Sequence, residues 1–488
     1  MNLLPHKIIK YQIYLLQLEN YNLKRFAKIF CRGLKKQRQE ITWTAKLKIV
    51  TLIAVIIKFI LAIAGGWAIY LLTQSVAGGV ISALIILYIS SLLFGVYLIL
   101  VTLIIWPLDC ILKQRIINKA KQKIKSFPEL KIIGITGSYG KTTMKETVAT
   151  ILSQKYKVLA SAENKNTPLG ISQLILDELD ESTNILIIEM GAYQIGDIKD
   201  MCDITKPNIA ILTGINESHL ERFGSIANTI LAKFEIIINS TADAKIILNI
   251  DDDLVKKNYQ QQIGSKPSSA KATASKEVSF YSTNNNQKAE YKISNQNFFT
   301  DGSGISFDLD GFNNLKVPLL GEYILGTIMA GVIIAEKLGL TKNEIKTGIN
   351  KIKPIEHRLQ LIKGSNDILV IDDSYNGNPA GAQVAIKTLS KFKNKRKIYV
   401  TPGLVEAGDK IKELHYNIGK QLSGVADKVI LIKNSVTAYI KDGLVENNFK
   451  EENIIFFDSA QEAHNSMGKI TKAGDVVLFQ NDWPDNYI

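Results

Sequence analysis

The residues best suited to chemistry in this 488-residue chain lie in one run, Gly134-Ile-Thr-Gly-Ser-Tyr-Gly-Lys-Thr-Thr143. Gly137, Ser138, Tyr139 and Gly140 form a stretch whose backbone N–H groups can close around phosphate oxygens, and Lys141 follows to reach the terminal phosphates. Thr142 places a hydroxyl where a nucleotide-bound Mg²⁺ would sit, and Thr143 completes the turn into a helix N-terminus, where backbone N–H groups favour anions. A nucleotide with its Mg²⁺ is the ligand this chemistry calls for. A plain glycine-rich turn would share the Gly-Lys-Thr triplet, so the flanking elements must decide. Lys131 to Ile135 reads as a short buried strand and Met144 to Gln154 as a helix, which is the strand–loop–helix context a phosphate loop requires.

Further strands are expected at Lys157–Ser161, Ile185–Glu189 and Ile209–Thr213, alternating with helices. Such alternation implies a parallel sheet covered on both faces. A second series follows at Ile368–Ile371, Lys397–Thr401, Lys428–Lys433, Ile454–Asp458 and Asp475–Phe479. The fold class is therefore α/β, with a P-loop-type parallel-sheet central domain over 113–353 and a Rossmann-like C-terminal α/β domain over 354–488. Between them, Ser265 to Lys276 is rich in Ser, Ala and Lys and reads as disordered, while Val278 to Pro318 reads as a hairpin-rich extension.

Ahead of these domains the composition changes. Leu47–Thr73 and Val80–Leu108 are almost uninterrupted apolar runs joined by Gln74-Ser-Val-Ala-Gly-Gly79. Each is long enough for a membrane span of about 20 helical residues, so 47–112 is expected to be an α-helical transmembrane hairpin. Lysines and arginines crowd both flanks, which places both ends and the catalytic domains on the cytoplasmic side of the membrane. Lys58, inside the first run, is expected to snorkel. Residues 1–46 form a basic amphipathic segment, with Ile8–Phe30 repeating apolar residues at helical spacing, suited to lying on the inner membrane surface or packing as an ordinary helix. The formal charge of +13 is concentrated beside the apolar runs, which favours membrane lipid and not nucleic acid as the partner. Three widely separated cysteines in no paired spacing suggest neither a disulfide framework nor a zinc cluster.

Ile135 stands where the commonest phosphate loop has glycine. The resulting Gly-x-Thr-Gly-x-x-Gly-Lys-Thr-Thr spacing resembles that of the Mur ligases, which build the peptide stem of bacterial peptidoglycan. The resemblance continues through Glu189-Met-Gly-Ala192, Thr213 to Gly224, Ala232-Lys233, Leu248 to Asp252, His357-Arg358 and Asp372 to Pro379. Within that family the chain is most similar to the members that add D-alanyl-D-alanine.

The resemblance implies an ATP-dependent carbon–nitrogen ligase working through an acyl phosphate. It implies that Thr142 and Glu189 hold Mg²⁺, that His219 and a carbamylated Lys233 hold a second metal, that Arg358 neutralises phosphate charge and that Asp373 contacts the ribose. Lys141, His219, Lys233 and Arg358 would then carry catalysis. The implied partners are a muramoyl-peptide acceptor and D-alanyl-D-alanine, or another amine. Alternatives are a related ligase or amidating enzyme on another, lipid-linked acceptor, and a nucleotide-binding membrane scaffold. Three departures mark this chain: the hairpin runs into the phosphate-loop strand without the family's UDP-binding first domain, Gly321 to Thr327 lacks the His and Asn that help hold adenine in the family, and the chain ends without a Lys-Gly-Ser-Arg type of segment.

Overall fold

A computed structural model describes residues 5–19, 21–30, 40–162, 165–217, 220–264, 276–299, 301–375, 377–404 and 410–480. The chain divides into two compact units that meet between Arg115 and Ile116.

In the first unit, α1 (Pro5–Leu18) and α2 (Leu23–Phe30) precede α3 (Ala45–Thr73), α4 (Val76–Leu92) and α5 (Phe94–Lys125), the last of which crosses the unit boundary. α3 and α5 are long and apolar enough to cross a membrane by length and composition. The hairpin turns at Gln74 in left-handed conformation, with Ser75 capping α4 through Gly78 N–H. The arms run antiparallel: a Cβ on Gly66 would lie 2.8 Å from Gly79 O, Lys58 Nζ is 2.7 Å from Ser91 Oγ, and Lys46 Nζ is 2.8 Å from Asp109 Oδ2.

Three features differ from the sequence reading. The second arm is two helices broken at Leu93, because the Ser90 and Ser91 hydroxyls bond back to Leu87 O and Gln12 Nε2 takes the Leu92 carbonyl. Lys58 is buried against Ser91 and does not extend outward. The stretch Ile8–Phe30 is two helices separated at Tyr21 (φ 61°), and Leu15, Leu16 and Phe26 pack with Leu47, Val50 and Leu98 into one core.

The second unit opens with β1 (Lys131–Thr136), α6 (Lys141–Leu152), β2 (Val158–Ala160), α7 (Pro168–Glu178), β3 (Ile185–Glu189), α8 (Asp197–Thr205) and β4 (Ile209–Leu212). Then come α9 (Leu220–Phe223), α10 (Ile226–Asn239), β5 (Lys245–Asn249), α11 (Asp253–Gly264) and β6 (Glu277–Tyr281). The six strands form a parallel sheet in the order β2-β3-β1-β4-β5-β6. Alternate strand residues fill two separate cores. Ile133, Ile135 and Ile187 face α6 with α12 (Tyr323–Lys337) and α13 (Lys342–Asn350), while Ile132, Leu186 and Ile188 face α7, α8 and α10. Burial on both faces explains why these strands are nearly continuous Ile and Leu.

β7 (Ile293–Phe298), β8 (Ile305–Leu309) and β9 (Phe312–Val317) make a small antiparallel sheet, as the hairpin-rich expectation required. β6, at the start of that stretch, joins the main sheet instead. Residues 265–275 of the expected disordered segment lie outside the described residues; its last residue, Lys276, is buried and caps the end of α10 through Ser240 Oγ at 2.9 Å.

The C-terminal domain holds β10 (Gln360–Lys363), β11 (Leu369–Asp373), α14 (Pro379–Ser390), β12 (Lys397–Thr401), α15 (Ile411–Ser423), β13 (Lys428–Ile432), α16 (Thr437–Val445), β14 (Ile454–Phe457), α17 (Ala460–Ile470) and β15 (Val476–Gln480). Its sheet runs β10-β11-β15-β12-β13-β14 and is parallel apart from β10. α14, α15 and α16 cover one face; α17 packs on the other.

Candidate active site

β1 delivers the phosphate loop to the point where the chain changes direction in the sheet, since β2 and β3 lie on one side of β1 and β4 on the other. Ligands of open α/β sheets bind at that crevice, beyond the carboxyl ends of the strands. The loop is braced there from β4. Ser138 N donates to Gly214 O at 2.8 Å, and the Thr213 hydroxyl bonds Thr136 O and Tyr139 O. A Cβ on Gly137 would stand 2.0 Å from Thr213 Oγ1, so only glycine permits this approach. Gly140 (φ 73°) then turns the chain into α6.

Lys141 folds onto its own loop, Nζ donating to Gly137 O at 2.9 Å, and burial holds its pKa below the ordinary lysine value. Thr142 is almost fully buried between two partners. Its hydroxyl donates to Glu189 Oε2 at 2.9 Å and accepts from Arg358 Nη2 at 3.1 Å. Glu189 ends β3 and its N–H is fixed by Ser161 Oγ at 3.0 Å. Parallel pairing of β1 with β3 is what sets Glu189 beside the loop.

Lys233 on α10 is buried, and burial, reinforced by the Lys141 charge, lowers its pKa to about 7. Asp197, Glu189 and Glu235 act in the opposite direction. Its ammonium lies 5.6 Å from the centre of the Phe223 ring. Glu235, two residues further along α10, accepts from Gly196 N and Lys199 N and so fixes the loop after β3. His219 lies outside the described residues. Among the described residues no group of three or more His, Cys, Asp and Glu is gathered for a metal. The oxygen pair of Thr142 and Glu189 nevertheless has the hard-donor chemistry that Mg²⁺ takes together with phosphate oxygens.

The C-terminal domain closes the other side. Arg358 reaches the loop through Thr142, and its guanidinium carbon lies 4.9 Å from the Tyr375 ring centre. Asp373, at the end of β11, accepts from Leu359 N at 3.2 Å; burial lifts its pKa to about 7 against the opposing Arg358 charge. Asn216 Nδ2 donates to Asn378 Oδ1 at 3.2 Å, and Lys410 pairs with Glu217 at 2.9 Å, joining the two domains.

The structure therefore gathers Gly137, Ser138, Tyr139, Gly140, Lys141, Thr142, Glu189 and Arg358 around one crevice, with Thr143 and Asp373 sharing a neighbour in Tyr323. Three residues beyond the expected set also belong here. Asp252 accepts from the Tyr139 hydroxyl at 2.8 Å and from Ile215 N, tying the loop to the end of β5. Tyr323 hydrogen-bonds Thr143 and lies near Asp373, its hydroxyl pushed up to about 12 by burial. His357 binds Asp372 at 2.7 Å. In the same Gly321–Thr327 segment, Thr327 meets Thr147 at 3.2 Å. Asp252 and His357 fall in sequence motifs already singled out; for Tyr323 the only signal was its place in a departing segment.

Residues 135–335 match the Mur ligase middle domain and residues 357–480 the Mur ligase glutamate ligase domain, together more than half of the chain. A UDP-N-acetylmuramoyl-tripeptide–D-alanyl-D-alanine ligase of Bacillus subtilis is 26% identical over 354 residues, covering 72% of each chain. The Escherichia coli enzyme of that name is 28% identical over 340 residues, covering 67% of this chain and 71% of its own. MurF ligase from Thermotoga maritima in complex with ADP superimposes with a TM-score of 0.65 at 25% identity, over 76% of this chain and 80% of that one. MurF from Acinetobacter baumannii gives a TM-score of 0.65 at 23% identity, over 76% and 77%. With its phosphate loop, its Glu189 and Arg358 walls and its two α/β domains in that order, the chain belongs to the Mur ligase family of ATP-dependent, ADP-forming ligases.

Proposed function

We propose that this ligase adds D-alanyl-D-alanine to a muramoyl-tripeptide in peptidoglycan precursor synthesis, and that its N-terminal helices anchor it in the cytoplasmic membrane. The observation that carries the chemistry is Thr142 held between Glu189 and Arg358. That placement lets one hydroxyl, one carboxylate and one guanidinium face the β- and γ-phosphates of ATP from both domains. The γ-phosphoryl group passes to the tripeptide carboxylate and ADP leaves; the dipeptide amine then attacks the acyl phosphate, forming the C–N bond and releasing phosphate. Lys141 and Arg358 offset phosphate charge throughout, where a water-poor cleft strengthens their effect. Mg²⁺, held by Thr142 and Glu189, would supply further charge neutralisation at the phosphates. With a pKa near 7, Lys233 is in part an uncharged amine at neutral pH, the form that combines with CO₂ to give a carbamate. The resulting anion would supply oxygens beside Glu189.

The membrane reading is supported by the surface of α3, α4 and α5. Leu52, Ile60, Ile63, Leu72, Leu84 and Ile104 are among many large apolar side chains left uncovered, and a core hairpin of a soluble protein would bury them. Basic residues flank the spans, so the catalytic domains are cytoplasmic. A lipid-linked acceptor is the second reading, favoured by this same anchor.

Phosphate release from detergent-solubilised protein with ATP and Mg²⁺ tests the assignment. Turnover should require both D-alanyl-D-alanine and a muramoyl-tripeptide, UDP-linked or lipid-linked, and should vanish in Lys141→Ala. ATP binding without turnover on either acceptor would sink the dipeptide assignment.

A further inference from the structure

α6 carries two lysines one turn apart. Lys141 belongs to the phosphate loop, whereas Lys145 takes no part in the chemistry described above and yet is only 1% exposed. Burying an ammonium is costly unless hydrogen bonds replace its water. Here Lys145 Nζ donates to Ser161 O at 2.6 Å and pairs with the half-exposed Glu146 Oε1 at 3.1 Å. Ser161 directly follows β2, an edge strand of three residues whose only neighbour in the sheet is β3. The lysine therefore braces a strand end that has few ladder bonds of its own.

From Ser161 the bonds lead back to the site. Ser161 N donates to Ile187 O at 2.9 Å, and its hydroxyl oxygen accepts from Glu189 N at 3.0 Å, so one residue grips the end of β3 with both backbone and side chain. The Glu189 carboxylate accepts from the Thr142 hydroxyl, and Thr142 stands three residues before Lys145 on the same face of α6. Four residues thus close a ring: Thr142 hydroxyl to Glu189 carboxylate, Glu189 N–H to Ser161 hydroxyl, Ser161 carbonyl to Lys145, and one turn of α6 back to Thr142. All four are buried. The bond between Thr142 and Glu189 is the link that gives way when both oxygens turn to Mg²⁺. Ser161 and Lys145 then keep Glu189 at its distance from α6.

We infer that Lys145 is a positioning residue for Mg²⁺: through Ser161 it fixes the Glu189 carboxylate opposite Thr142, without itself meeting metal or phosphate. The inference rests on the assignment of Thr142 and Glu189 to Mg²⁺ given above. Lysine suits this post, because its long stem reaches from α6 to the edge strand and its ammonium has donors enough for a carbonyl and a carboxylate together. Methionine would fill a similar volume without any donor, so Lys145→Met removes the bond and leaves the packing.

The test is calorimetric binding of a non-hydrolysable ATP analogue to the full-length, detergent-solubilised protein, in EDTA and at increasing Mg²⁺. Lys145→Met should keep the metal-free affinity within about twofold, since the loop glycines and Lys141 are intact, and should raise the Mg²⁺ concentration for half of the metal-dependent gain by about tenfold or more, the usual cost of losing a group that orients a metal ligand. Ser161→Ala keeps the carbonyl but removes the acceptor for Glu189 N–H. It should give a shift of the same order, and the double variant should shift no further than the larger single one, because the two residues act along one chain of bonds. A Lys145→Met protein that only melts earlier, with its Mg²⁺ response unchanged, would overturn the inference, as would shifts that multiply in the double variant. Should Lys145→Met fail to fold, an unchanged Mg²⁺ response in Ser161→Ala would overturn it instead. Glu189→Gln separates the two readings: an unchanged response there would remove the metal assignment and this inference with it, whereas a lost response beside an unaffected Lys145→Met would remove the role of Lys145 alone.

Discussion

Arg358, from the C-terminal domain, donates a 3.1 Å hydrogen bond to the hydroxyl of Thr142 on the phosphate loop of the central domain. The reacting phosphates would thus be enclosed by groups from two domains, and neither domain alone carries the full charge complement.

Arg358→Ala should lower kcat by roughly 10²- to 10³-fold, the usual cost of losing one preorganised charge at a transition state. Arg358→Lys should recover little, because a point charge does not replace a planar fork of donors. Single-turnover kinetics with preloaded ATP would check this; a variant that loses only ATP affinity would place Arg358 outside the transfer step.

Gly137→Ala puts a methyl group 2.0 Å from Thr213 Oγ1 and should displace the loop. ATP binding by calorimetry is expected to disappear while the circular dichroism spectrum is retained. Unchanged affinity would mean that the loop is not the phosphate site.

Lys233 gives a pH-dependent prediction. Its folded pKa of about 7 lies below the ordinary lysine value of about 10.4. Between these values the unfolded chain binds the extra proton, so stability rises with pH across that window, and the full penalty is present below pH 7. In CO₂-free buffer, Lys233→Met should raise Tm at pH 6 to 7, with the gain shrinking toward pH 10. At equal dissolved CO₂, wild-type activity should recover faster at pH 8 than at pH 6, because the uncharged amine is the reactive form. A CO₂-independent rate would remove the carbamate from the account.

The membrane anchor predicts that the full chain stays with membranes after alkaline carbonate washing and is released by detergent. Release by carbonate alone would mark the apolar helices as a surface attachment.

The periodicity of the chain carried much of this architecture. Ile185–Glu189 and Lys397–Thr401 were bounded as they occur, because strands buried on both faces are continuous apolar runs that end abruptly. The phosphate loop was legible for a similar reason: its glycines, lysine and threonine act locally, next to their own strand and helix. The break at Leu93 was not legible. It depends on Gln12, eighty residues away, capturing a carbonyl within an unbroken apolar run. Asp252 and Tyr323 escaped assignment because their partners, Tyr139 and Thr143, are brought to them only by the packing of β5 and α12 beside the loop. Lys58 was read from its long stem alone, whereas Ser91 on the opposite arm decides its direction.

Mass spectrometry of the acceptor after incubation with ATP, Mg²⁺ and isotopically labelled D-alanyl-D-alanine reads the ligation itself. Each ADP formed should be matched by one labelled dipeptide joined through an amide to the muramoyl-tripeptide, and Lys141→Ala should yield neither. ADP formation with no label on UDP-linked or lipid-linked acceptor would contradict it.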